Sequence, residues 1–184
     1  MEDLPNAIAS LKRLDPAVAM PEGVVGMLVQ MLEKTGAKVE AETVLQANVK
    51  AKIITAWSLG EFYMRNSNTS GAIIAIESYL AGIEQSQNTN KERAKAHKKL
   101  CSLYATLHES SPIDTEVEVR TMYLDTAHTH CASAVELGTN DYEVKTFYSK
   151  YPVDTRKPAV PSDVRIEVAV EQQGTVNTVA VDDV

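Results

Sequence analysis

Two runs decide the fold class: Trp57-Ser58-Leu59-Gly60-Glu61-Phe62-Tyr63 and, after the polar stretch Asn66-Ser67-Asn68-Thr69-Ser70-Gly71, Ala72-Ile73-Ile74-Ala75-Ile76-Glu77-Ser78-Tyr79-Leu80. In the first run Leu59, Phe62 and Tyr63 recur at spacings of three and four, and in the second Ile73, Ile76, Tyr79, Leu80 and Ile83 do the same. That is the period of a helix with one apolar face. The intervening residues are turn formers, so the spacing predicts two antiparallel helices joined by a short connection. Gly60 and Ala72 are small where two helix backbones must approach, and Leu59, Tyr63, Ile76 and Tyr79 are large enough to fill the flanks.

The same periodicity extends in both directions. Leu4, Ile8, Leu11 and Leu14 mark a short helix that ends at Asp15-Pro16, and Val24 to Leu32 mark a second one, started by Pro21-Glu22 and stopped by Gly36. From Val39 to about Asn66 the pattern reads as one long helix or two nearly continuous ones. Downstream, Leu100, Leu103, Tyr104 and Leu107 form the buried stripe of a helix from Lys91 to about His108. Ser110-Ser111-Pro112 breaks the chain, a helix from about Thr115 to Leu137 ends at Gly138, and Tyr142, Phe147, Tyr148 and Tyr151 predict a short docking helix. The expected architecture is all-α, in antiparallel pairs, over residues 1–151. Residues 152–184 carry three of the seven prolines and read as an acidic tail, in which the alternation of Val164, Ile166, Val168 and Val170 leaves a β-hairpin open.

Composition bounds the function. The chain has 184 residues, 18 Lys+Arg against 25 Asp+Glu, a net charge of −7 and an aromatic fraction of 5%. This acidic balance argues against nucleic acid and anionic membranes as general partners. The N-terminus has neither a basic start nor an apolar core, and two cysteines make no disulfide framework, so a reducing cytoplasmic setting is expected. No nucleotide loop, nucleophile elbow or His-Glu-x-x-His pair is present, so neither an enzymatic activity nor a cofactor is expected.

Leu59-Gly60, Tyr63, Ala72, Ile76 and Tyr79 together reproduce much of the spacing of a tetratricopeptide repeat, and the eight residues between Tyr63 and Ala72 match that family. A looser second copy reads Leu100-Cys101, Tyr104, then Ala127, Cys131 and Ala134, with a join that is too long and a period of 41 residues against the family's roughly 34. The chain thus resembles a degenerate tetratricopeptide-like protein across about residues 40–137, although small residues at helix contacts also occur in ordinary bundles. The resemblance implies a non-catalytic adaptor that grips a peptide or helix in a groove; the alternative is a structural subunit packed permanently in a larger complex. It also implies burial of Leu59, Ile76, Leu100, Leu103 and Leu124.

Lys91, Arg93, Lys95, Lys98 and Lys99 are the one concentrated basic patch and the candidate partner-binding residues, suited to an acidic or phosphorylated peptide. Lys95 and Lys99 share a helix face. In the resemblance they fall where chaperone-binding members of the family hold a partner's terminal carboxylate, although Ser58 stands where those members use an asparagine. His97 with Cys101, and His128 with Cys131, are spaced to point one way from their helices, which opens three readings: a zinc site, a disulfide or plain packing. Asp125, His128 and Cys131 recur every three residues and read as a half-buried stripe rather than a nucleophile set. Val181-Asp182-Asp183-Val184 has the form of a PDZ-domain ligand, with Val184 supplying the carboxylate.

Overall fold

Among the described residues, four helices stop in the same way, and those stops shape the architecture. In each, the residue after the cap enters the left-handed region: Gly36 (φ 79°), Lys52 (φ 59°), Ser67 (φ 58°) and Gly138 (φ 93°). The following amide then reaches back six residues' span to satisfy a carbonyl of the last turn. These bonds are Ala37 N to Leu32 O at 2.9 Å, Ile53 N to Asn48 O at 3.0 Å, Asn68 N to Tyr63 O at 2.9 Å and Thr139 N to Ala134 O at 2.9 Å. This cap both uses the orphan carbonyls and reverses the chain sharply.

The computed structural model describes residues 4–12, 22–83, 89–112, 115–139 and 141–153. Among these, eight helices and no strand occur: α1 Leu4–Lys12, α2 Glu22–Lys34, α3 Lys38–Lys50, α4 Ala56–Arg65, α5 Thr69–Ile83, α6 Asn90–Ser110, α7 Val117–Glu136 and α8 Tyr142–Lys150. The hairpin expected near Val164–Val170 and the terminal Val184 lie outside the described residues. No helix among the described residues is long and apolar enough to cross a membrane.

Each helix packs on the next in order from α1 to α7, most extensively α6 with α7 and α4 with α5. The core runs through the whole series, from Val25, Leu28 and Leu32 in α2, through Phe62, Ile73 and Ile76, to Leu100, Tyr104 and Cys131. Ile76, Leu100 and Leu103 are buried as expected. Leu59 and Leu124 are only partly covered, because they sit at the edge of their helix faces and pack against the core from outside.

Gly60 is buried against α5. A Cβ placed there would stand 2.6 Å from Ile76 Cδ1, 2.9 Å from Ile76 Cγ1 and 3.6 Å from Ala75 Cβ, so α4 and α5 approach at a distance that no side chain at 60 would allow without movement. Tyr63 and Ala72 are buried beside it, and Tyr79 is partly covered. In the second pair Cys101, Ala127, Cys131 and Ala134 are all nearly or fully buried. The long join between these helices is taken up mainly as helix: α6 has 21 residues and α7 has 20, against 10 in α4.

Tyrosine hydroxyls tie neighbouring helices. Tyr63 Oη donates to Glu42 of α3 at 2.6 Å, and Tyr104 Oη donates to Glu77 of α5 at 2.7 Å. In each case burial, with the partner carboxylate second, pushes the phenol above its ordinary value. Both hydroxyls therefore remain donors at neutral pH, as their partners require.

Candidate functional site: the outer face of α6 and the cleft under α8

The basic residues of α6 divide. At about 100° per residue, Lys91, Lys95 and Lys99 follow one line along the helix with Lys98 beside it, while Arg93 falls on the opposite side in line with the fully buried Leu100. Arg93 is accordingly half-buried and does not share the lysine face.

Two of the lysines are held by neighbouring helices. Lys95 Nζ lies 3.9 Å from the centroid of the Trp57 ring of α4, a cation on an aromatic face. Trp57 is itself fixed by its Nε1, which donates to Glu61 at 2.8 Å, and by an edge contact with Tyr79 at 5.5 Å between centroids. Lys98 turns the other way, to Asp141 at 2.6 Å and Glu143 at 3.2 Å at the start of α8. The Asp141 hydrogen bond is the main reason that Lys98 is pushed above the ordinary lysine value. Asp141 also caps α8 by accepting from Val144 N at 3.3 Å, so one carboxylate both starts that helix and anchors it to α6. The face of α6 therefore looks out between α4 and α8, with Lys91, Lys95 and Lys99 along it.

Below α8 lies a cleft of about 240 Å³. Lys98 and Glu143 stand at one end; Glu109, Lys150 and Tyr151 stand at the other, with Lys150 and Tyr151 donating to Glu109 at 2.7 and 2.6 Å. Those two donors, Lys150 first, hold the Glu109 carboxyl below its usual range. The floor contains both thiols, Cys101 from α6 and Cys131 from α7, and faces Val144 and Phe147 of α8.

The histidines combine differently from the sequence pairing. His97 meets His130 of α7, Nδ1 to Nδ1 at 3.0 Å, and Cys101 meets Cys131. His128 instead packs beneath α8, 4.9 Å from Phe147 and 5.9 Å from Tyr148 between ring centroids. Of the four residues of the zinc reading only the two cysteines meet each other, while His97 turns to His130 and His128 to α8, and no group of three or more metal-ligating side chains is assembled among the described residues. Burial pushes His128 below the ordinary histidine value, with Asp125 opposing. Burial, and then His97, push His130 down to about 4. His130 was missed from sequence. The signal that finds it is the antiparallel register of α6 and α7, in which positions rise on one helix as they fall on the other: His97 meets His130 and His108 meets the carbonyl of Arg120.

The fold and site together define an all-helical protein with a lysine-lined face and a thiol-floored cleft. Compared with family models, with curated proteins and with solved structures, the chain matches none.

Proposed function

We propose that this chain is a non-catalytic, tetratricopeptide-like interaction protein that binds an acidic peptide along the outer face of α6, between α4 and α8. The observation that carries this reading is the line of Lys91, Lys95 and Lys99, flanked by Trp57 on one side and by the start of α8 on the other. A peptide carboxylate set between Lys95 and Lys99 gains charge-assisted hydrogen bonds, and Trp57 offers an apolar contact for a neighbouring side chain. The repeat-like organisation is supported by the alternation of the pairs α4/α5 and α6/α7 and by the Gly60–Ile76 approach. Lys98 belongs to the support of the face, since it is committed to α8, and Arg93 lies on the opposite side of α6.

The reading is tested with a fluorescent acidic peptide ending in a free carboxylate, beside its amidated twin, by anisotropy at low and moderate salt. The free-acid peptide should bind more tightly, its affinity should fall as salt rises, and Lys95→Glu with Lys99→Glu should weaken it at least tenfold. Equal binding of the free-acid and amidated peptides to the native protein refutes the proposal, as does undiminished binding to the charge-reversed protein or absence of binding to the native one.

A further inference from the structure

The floor of the α8 cleft plays no part in the peptide reading. Cys101 and Cys131 are the only two cysteines of the chain. Both are free thiols, 3% and 0% exposed, and they face each other across the α6–α7 contact within hydrogen-bonding reach. Three features separate this pair from thiols that merely fill space. One is pairing: each has the other as its immediate sulfur neighbour, and no third cysteine competes. Another is asymmetry. Cys101 donates to Cys131, which pulls Cys131 down and, together with burial, pushes Cys101 up, so Cys131 is the thiol that ionises first. A nucleophilic sulfur beside a protonated partner is the arrangement that thiol oxidation needs. The last is position: both residues line the cleft, and since Cys131 is 0% exposed an oxidant reaches it only when the cover of the cleft lifts. Its cover, α8, has nine residues, is seated by the buried Val144 and Phe147 with Tyr148 and Tyr151 partly buried at its edge, and is pinned at its two ends by polar contacts. An element with so little apolar seating opens at lower free energy than the long helices beneath it.

We infer that Cys101 and Cys131 form an oxidisable dithiol site, which a hydroperoxide converts into a disulfide joining α6 to α7. The Cys131 thiolate attacks the peroxide, the O–O bond breaks, and the leaving hydroxide takes a proton to become water, which leaves a sulfenic acid on Cys131. Cys101 then gives up its proton and attacks that sulfur; the S–S bond forms, the S–O bond breaks, and the departing hydroxide leaves as a second water. Two thiols lose two electrons and two protons, and hydrogen peroxide accepts both to become two waters. A dithiol reductant returns the pair by exchange through a mixed disulfide.

The test uses the full native chain with a small excess of hydrogen peroxide, followed by intact mass and peptide mapping. The expected product has lost two hydrogens, carries Cys101 joined to Cys131 within one chain, and regains both thiols with a dithiol reductant. Cys101→Ala should halt at a sulfenic acid on Cys131 that a dimedone-type probe labels. Lys150→Ala, which removes one anchor of α8, should speed oxidation several-fold. Thiols that survive after free glutathione at equal concentration has been consumed overturn the inference, and so does a disulfide between two chains or over-oxidation of one cysteine while the other stays free. An unchanged rate in Lys150→Ala overturns the cleft as the oxidant's route.

Discussion

Replacing Gly60 by alanine sets two effects of known size against each other. In the interior of a helix, glycine is less favourable than alanine by about 1 kcal/mol, so propensity alone predicts stabilisation. Against this, the new Cβ would lie 2.6 and 2.9 Å from two atoms of Ile76, which is 0% exposed, so that side chain must shift within the core. Overpacking of this kind costs about 1–3 kcal/mol. The net expectation is a loss of about 1 kcal/mol. Gly26 supplies the control, since it lies in the interior of α2, is exposed, and its Cβ would meet nothing within 4 Å. Gly26→Ala should therefore stabilise by about 0.5–1 kcal/mol, giving the same chemical change opposite signs at two sites. Ile76→Val removes the atom at 2.6 Å and leaves the one at 2.9 Å; alone it costs about 1 kcal/mol. In the double variant with Gly60→Ala the loss should fall short of the sum by about 0.5–1.5 kcal/mol, because the clash and the lost methyl are the same space. Urea denaturation followed by far-UV circular dichroism measures all four, with unchanged m-values as the condition for comparison. If Gly60→Ala stabilises as much as Gly26→Ala and adds to Ile76→Val without coupling, the close approach of α4 and α5 is not as described.

Lys52 and Ser67 hold left-handed conformations without being glycine, so Lys52→Gly should raise stability by about 0.5–1 kcal/mol after allowance for the looser unfolded chain; a decrease in the urea midpoint contradicts the cap geometry. His130 takes a proton in the unfolded chain below about pH 6.5, whereas the folded ring resists until about 4. Acidification through that window thus favours unfolding by up to about 3 kcal/mol, and His130→Phe should flatten this part of the pH dependence; an equally steep slope in the variant would place the effect elsewhere. Lys98→Met cuts α8 from its start while leaving the helix sequence intact, so amide exchange should quicken in Val144–Lys150 and stay unchanged in α4 and α5. Uniform quickening, or none, would show that Lys98 does not anchor α8.

Helix existence was legible because burial repeats with the helical period, and the stops at Gly36 and Gly138 were legible because glycine is the ordinary occupant of a left-handed cap. The stop between α3 and α4 was not. There the same cap is made with Lys52, whose side chain gives no such signal, so Val39 to Asn66 left open one helix or two nearly continuous ones. Ser67 makes the same cap between α4 and α5, yet that boundary was readable, because Asn66, Asn68 and Gly71 surround it with turn formers. Sequence punctuation thus found the stops whose backbone need coincided with a characteristic side chain. It left in doubt the one made with Lys52.

The same distinction explains the site. The lysines of α6 stand out in the sequence because they are dense, yet density does not separate Lys91, Lys95 and Lys99, which run along one face, from Lys98, which is bound to Asp141, or from Arg93 on the far side. Periodicity alone assigns Arg93, since it lies seven positions before the buried Leu100. Lys98 needs the position of α8, and no local pattern encodes that, because Asp141 lies 43 residues away. The thiol pair follows a third course. Its two members stand in the looser second repeat copy, whereas the cleft above them is covered by α8, which is held by charges at its ends and by two buried apolar residues between. A helix anchored in that way is strong enough to cover Cys101 and Cys131 and weak enough to uncover them. Had α8 carried the long apolar stripe of α6, the cysteines would have been ordinary core.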